Sequence, residues 1–320
     1  MKLGVFTVLF SQQSLDDALD YICQSGLQAV ELGCGAYPGE AHVPVGDLLA
    51  SKTKANDFKQ KIADRGLEIS ALSCHGNPVH PNAAHAKRDQ ESHRKTVRLA
   101  EMLGVKTVVN FSGCPGGGPK DKVPNWITCP WPPDFLDAVT WQWEAKLIPY
   151  WKKEAKFAKD HGVQIGFEMH PGFCVYNVES MLRLRKECGT TLGANLDPSH
   201  LFWQGMDPIV AVKSLGKAIF HVHAKDCRID PQNTAFKGVL DTMHYGDELH
   251  RSWVFRTVGY GHGEQFWRDF VSMLRTVGYD GVLSIEHEDS LMSVNEGFQK
   301  AVQFLKGILL TEKTGGMWWA

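Results

Sequence analysis

The stretch Val163-Gln164-Ile165-Gly166-Phe167-Glu168-Met169-His170-Pro171 carries the reading from which the fold follows. An apolar run closes on a carboxylate, and Pro171 and Gly172 then stop it, so Glu168 ends a short predicted strand. The same ending recurs downstream: residues 192–196 run into Asp197, 218–222 into His223, and 281–285 into Glu286. Short strands separated by helical segments form parallel sheets, and a parallel barrel gathers every C-terminal strand end on one face. Residues spread over about 120 positions are therefore expected to meet. One imidazole and three carboxylates suit a hard divalent cation better than a thiolate-seeking one. The expected cofactor is one such ion, manganese first, with magnesium, cobalt or zinc as alternatives.

Upstream, four further units fit the scheme. Residues 3–7, 29–32, 67–74 and 105–111 are strand-like, and the helices between them stop at Gly26, Gly66 and Gly104. Ser14 with Asp17 offers a cap to the first helix. Downstream, helices are expected over 141–161 and 177–188, from Asp207-Pro208, and over 263–276 and 293–310. Eight βα units without a linker predict a single (β/α)₈ TIM barrel over residues 1–320, with long loops after strands 4 and 7. Those loops, 112–140 and 228–261, are rich in aromatic residues, among them Trp126, Trp131, Phe135 and Trp253. Loops of that length are usually functional or disordered, and the tryptophans and prolines argue against disorder. The terminal Trp318 and Trp319 are expected to dock on the barrel or on a neighbouring subunit.

Composition narrows the class. A hydrophobic share of 43% and a charged share of 22% belong to a soluble globular chain. The net charge of -2 offers no basic footprint for nucleic acid. No apolar run approaches the roughly 18 residues of a membrane span. The N-terminus reads as a strand rather than a signal peptide, so the cytoplasm is the expected location. The eight cysteines show no CxxC pair and are expected to be reduced.

Taken singly, Glu168 reads as a surface carboxylate and His223 as a core histidine. Four ligand-type residues closing four successive strands point instead to a shared ion. His200, three residues after Asp197, reads as a ligand, a helix N-terminal residue or a hydrogen-bond donor to substrate, the last being preferred. His75 and Asn110 end strands 3 and 4 and are candidates for substrate contact. Lys225 could neutralise an anionic oxygen. Asp226 could pair with Lys225 or cap a turn, and Glu288 is expected to face solvent or a lid.

Glu168, the Asp-Pro-Ser-His of 197–200, the His-Ala-Lys-Asp of 223–226 and Glu286 together resemble the sugar phosphate isomerase/epimerase superfamily, the xylose-isomerase-like barrels. That group includes ketose 3-epimerases, hydroxypyruvate isomerase, inosose dehydratase and the endonuclease IV nucleases. The resemblance implies that Glu168, Asp197, His223 and Glu286 bind the cation and that Glu168 and Glu286 also move protons. The expected reaction is isomerisation or epimerisation through an enediolate; the alternative is a lyase or dehydratase on a keto-sugar, inosose or 3-keto-glycoside. Asn110 and the absence of Asp-x-His after strand 7 argue against the nuclease branch. Cys174 and Val175 stand where ketose 3-epimerases carry a second glutamate, and the arginine after the strand-7 histidine is offset to Arg228, which joins the substrate-binding candidates. The aromatic loops are similar to those of barrels acting on oxidised glycosides, including the large subunit of C-glycoside deglycosidases; a dimer interface is the plainer account. The expected partners are a sugar or keto-glycoside substrate and a homo-oligomer, with a small partner subunit left open.

Overall fold

In a computed structural model that describes residues 1–317 and 319–320, eight strands close a parallel barrel. They are β1 (Lys2–Phe6), β2 (Ala29–Gly33), β3 (Glu68–Ser73), β4 (Thr107–Asn110), β5 (Gln164–Glu168), β6 (Leu192–Leu196), β7 (Ile219–Ala224) and, after an outlying pair β8 (Asp226–Ile229) and β9 (Trp253–Arg256), β10 (Val282–Ile285). Around the barrel they follow in chain order, with β10 pairing back onto β1. Burial on both faces explains why these segments read as near-continuous apolar runs.

The long helices packed on the barrel seal its outside through an apolar stripe. Glu264–Thr276 buries Trp267, Phe270, Val271 and Leu274, the i, i+3, i+4, i+7 spacing of a helix lying on a sheet. Ser14 accepts from the Asp17 amide, Asn177 forms a capping box with Ser180, and Gly104 ends Ala83–Leu103 at φ 71. Only a residue without Cβ takes that left-handed turn without strain.

The two expected loops contain more order than their sequences announce. After β4 the helix starts at Pro133, not at Trp141, and passes through a π-type turn, Gln142–Leu147, into Ile148–Asp160. Proline at the first helical position is pre-set for the turn and gives up an amide that has no partner there. After β7, β8 and β9 pair as an antiparallel ribbon, and Pro231–Lys237 forms a helix capped by Asp230. Trp253 and Phe255 alternate inward and pack with Phe202, Trp203 and Cys227.

Asp226 anchors this excursion. It does not pair with Lys225; its buried carboxylate accepts from the amides of Cys227, Gly259, Gly261 and His262 and from the indole of Trp267. All eight cysteines are free thiols. Among the described residues no helix is long and apolar enough to cross a membrane. The expected docking of the terminal tryptophans falls partly on Trp318, outside the described residues; Trp319 is exposed.

Candidate active site at the C-terminal mouth of the barrel

Four strand ends deliver Glu168, Asp197, His223 and Glu286 to one point. A ligand-type atom from each lies within 4.8 Å of the others. Glu168, on the last residue of β5, is gripped from several sides: His75 Nε2 is 2.9 Å from its Oε2, His200 Nε2 is 3.0 Å from its Oε1, and Asn195 donates to Oε2 at 3.5 Å. Asp197 follows β6; its Oδ1 accepts from the Ser199 amide at 2.8 Å, while its Oδ2 makes no hydrogen bond. His223 Nδ1 lies 2.9 Å from Glu286 Oε2 and 3.4 Å from Glu168 Oε2, without hydrogen-bond geometry to either.

Beneath this cluster lies a polar layer that sequence reasoning missed. Side chains two apart on a strand share a face, so His221 and His223 both point into the barrel. Across the interior, Glu31 of β2 receives them: His221 Nε2 is 2.9 Å from Oε2, and His223 Nε2 is 3.0 Å from both oxygens. Ser284 donates to the same carboxylate at 2.7 Å, and Ser73 completes the set. Glu31 has no exposed surface, and burial alone would raise its pKa. His223 and His221 outweigh that and hold the carboxyl well below the usual range.

Charge is crowded in the upper layer as well. Burial foremost, with Glu168 and Glu286 beside it, pushes Asp197 up to about 6 against the pull of His200 and Lys225. For Glu286, burial is outweighed by Lys225 and His223, which bring it down to about 2. Lys225 is buried, with its Nζ 2.6 Å from Glu288, 3.5 Å from Glu286 and 3.8 Å from Asp197. Its ammonium also lies over the Phe255 ring, 4.2 Å from the centroid.

Other candidates fare differently. Asn110 commits its amide oxygen to the Gly76 and Phe111 amides, and its nitrogen lies 3.3 Å from His93 Nδ1. Through these bonds it ties the loops after β3 and β4 together. Arg228 is exposed on β8, because the strand alternation that buries Cys227 turns its neighbour outward. Glu288 is half exposed and closes over Lys225. Trp131 and Phe135 face solvent, but Trp126 and Trp253 line a cavity beside the cluster.

A family model for the xylose isomerase-like TIM barrel matches residues 19–308. The chain belongs to that family. Among relatives of this xylose isomerase-like barrel, the uncharacterized protein YfiH of Bacillus subtilis (strain 168) is 41% identical over 96% of this chain and 98% of its own length. An inosose dehydratase of Mesomycoplasma hyopneumoniae (strain 7448) is 24% identical over 97% of this chain and 96% of its own. The structure of 3-keto-D-glucoside 4-epimerase YcjR from E. coli superposes with a TM-score of 0.64 at 13% identity, covering 96% of this chain and 99% of that one. Proteins similar to this chain thus include an epimerase in fold and a dehydratase in sequence.

In this xylose isomerase-like barrel the cluster fits a divalent cation on its own chemistry. Asp197 Oδ2, His223 Nδ1 and Glu286 Oε2 are buried polar atoms without hydrogen-bond partners, and all belong to the converging set. Buried polar groups are nearly always satisfied, so three orphans at one point call for a ligand. Oxygen donors with a single imidazole suit manganese, magnesium or cobalt. A cavity of about 200 Å³ opens beside them, lined by Phe6, His75, Phe111, Glu168, Lys225 and Glu286. A larger one of about 600 Å³ lies among Glu68, Ile69, Gly281 and Val282, at the strand starts, and touches none of the four. In barrel enzymes the chemistry sits at the C-terminal mouth, so the smaller cavity is the candidate site.

Proposed function

We propose that this chain is a metal-dependent isomerase or epimerase that moves a proton beside the carbonyl of a sugar or cyclitol. Glu168, Asp197, His223 and Glu286 would hold the ion. When bound, such a cation polarises the carbonyl and lowers the barrier to enolisation by several kcal/mol. The observation that carries the reading is the meeting of four strand-ending side chains whose unpartnered atoms share one centre.

Glu168 serves as the first base. His75 and His200 fix its two oxygens at 2.9 and 3.0 Å, so it meets the substrate already oriented. Glu286, reached from β10 on another side of the centre, returns the proton. Return to the same carbon inverts it; return to the neighbouring carbon isomerises. Lys225 places a buried ammonium beside Glu286 and stabilises negative charge on a substrate oxygen. His200 positions Glu168 and borders the substrate space.

A second reading, loss of a β-substituent to give a lyase or dehydratase, is favoured by two observations. Cys174 and Val175 occupy the place of the second glutamate expected for ketose 3-epimerases, and the likeness to inosose dehydratase spans nearly the whole chain. Incubation with Mn²⁺ in D₂O and a panel of keto-sugars, inososes and keto-glycosides tests both. Deuterium enters beside the carbonyl under either reading, and release of water or aglycone marks the lyase. Absence of exchange across the panel from protein with a full complement of metal overturns both.

A further inference from the structure

The barrel has a second opening, at the strand starts, and the cavity there is the larger one, about 600 Å³ against about 200 Å³ beside Glu168. Strand alternation decides what lines it. Glu31 points into the barrel in register with Ala71, so Ile69, two residues earlier on β3, points inward below it. Val282 does the same beneath Ser284, whose hydroxyl reaches Glu31. Both line the cavity, with Leu67 and Leu103, and give it an apolar body. Branched side chains ordinarily fill this end of an eight-stranded barrel.

Three polar groups interrupt the apolar lining. His221, only 2% exposed, closes the cavity from the side of Glu31. Its Nε2 lies 2.9 Å from the Glu31 carboxylate and carries the hydrogen in that contact. Its Nδ1 has no hydrogen-bond partner among the described residues and is not closed off by protein. In the neutral ring that nitrogen is an acceptor, so it calls for an O–H or N–H. At the rim stand Lys59, from the helix Lys52–Ala63, and Lys106, just ahead of β4. Neither ammonium has an ion-pair partner among the described residues, whereas Glu68, the acid on the same rim, is already paired with Lys2. The rim therefore carries uncompensated positive charge.

This pattern discriminates among guests. A hydrocarbon would leave Nδ1 unmet and gain nothing from the lysines. A cation would meet two ammonium groups, and an inorganic anion would leave the apolar walls uncovered. A sugar would set hydroxyls against Ile69, Val282 and two leucines, which offer them no partner.

We propose that the N-terminal opening of the barrel is a second ligand site, for a small organic acid with an apolar body, its carboxylate at Lys59 and Lys106 and a hydroxyl donating to His221 Nδ1. A hydroxyaryl acid has this outline, and the volume suits one. The site is separate from the metal cluster and does not rest on the proposed reaction. The two meet only through Glu31, which His221 and His223 share.

Calorimetric titration of the full chain in Mn²⁺ tests the assignment with 4-hydroxyphenylacetate and three analogues that each change one feature. Phenylacetate lacks the hydroxyl, tyrosol carries an alcohol in place of the carboxylate, and tyramine carries an ammonium. The hydroxy acid binds about tenfold more tightly than tyrosol and about fivefold more tightly than phenylacetate, with tyramine the weakest. Lys59→Gln combined with Lys106→Gln, both at exposed positions, brings the hydroxy acid down to the level of tyrosol. Ile69→Trp fills the space and abolishes binding. Absence of heat from the acids at millimolar concentration overturns the inference, as does equal affinity for all four compounds. Phenylacetate matching the hydroxy acid removes the contact with His221 and overturns it too. A preference for acids that survives the lysine substitutions does the same, because the carboxylate is then held by the ion at the mouth.

Discussion

Glu31→Gln puts the buried layer beneath the site to the test. The carboxylate receives two imidazole N–H groups and two hydroxyls, with His221 at 2.9 Å, His223 at 3.0 Å and Ser284 at 2.7 Å. A glutamine keeps one acceptor oxygen and turns an NH₂ toward donors that also carry hydrogens. At least two contacts are lost, and they are lost at a fully buried position. Hydrogen bonds to a charged partner contribute about 1.5–3 kcal/mol each, so the substitution should destabilise by about 3–5 kcal/mol. Urea unfolding of chelator-treated protein measures this as a drop in midpoint. A second readout separates stability from positioning. Glu31 fixes the His223 ring through Nε2, and losing such an orienting partner weakens metal affinity by about 10–100-fold. Competition with a fluorescent chelator reads that directly. A midpoint within experimental scatter of wild type, together with unchanged affinity, would refute the assignment of Glu31 as the residue that aims His223.

Glu168→Gln and Glu286→Gln should each reduce deuterium exchange by about 10²–10⁴-fold, the range for a positioned acid or base; a variant retaining near wild-type exchange is not one of the pair. Burial pushes His93 down to about 4 from 6.5, a shift that Glu154 opposes and Arg94 assists. The unfolded chain takes up a proton that the folded state refuses, so this contribution is complete above 6.5 and drains as pH falls toward 4, amounting to about 3 kcal/mol in all. Urea midpoints at pH 7.5 and 4.5 should therefore differ less in His93→Gln than in wild type, and an equal difference counts against the reasoning. Gly193→Ala should cost about 1–3 kcal/mol by overpacking, since a methyl group there would meet the Ala218 carbonyl and the Phe220 ring; an unchanged melting temperature would mean that the strand yields.

The four converging residues were legible because each closes its own strand, and strand ends are marked locally by Pro, Gly and a change of period. Glu31 carries no such mark. It lies inside Ala29-Val30-Glu31-Leu32, where a carboxylate reads as the solvent side of an alternating strand, and its partner His221 is 190 positions away. One signal was available: His221 and His223, two apart on one strand, must share a face, and two imidazoles inside a barrel need an acid opposite them. The exposure of Arg228 was hidden for a related reason. The chain turns from the barrel into β8 straight after Lys225, and the alternation that follows belongs to a ribbon whose partner strand begins at Trp253. No tight-turn signature links segments so far apart. The bonds of Asn110 to the Gly76 and Phe111 amides were not legible, because which neighbouring amides lie within reach of a strand-end side chain is a tertiary fact.

His223 belongs to both layers, which gives the arrangement its logic. Its Nε2 faces Glu31, and its Nδ1 faces Glu168 and Glu286. The lower layer is complete without any ligand, since Glu31 is met by donors on every side. The upper layer is not, since three of its buried atoms make no hydrogen bond. A barrel whose interior held only the upper set would have to bury unmatched carboxylates against a freely turning imidazole. With Glu31 beneath, the ring has one orientation before anything binds, and the orphan atoms remain aimed at a common centre. A site that must exchange oxygen ligands while keeping its geometry needs that division between a saturated base and an unsaturated mouth. The base belongs to the folding of the barrel, the mouth to its chemistry, and one histidine joins them.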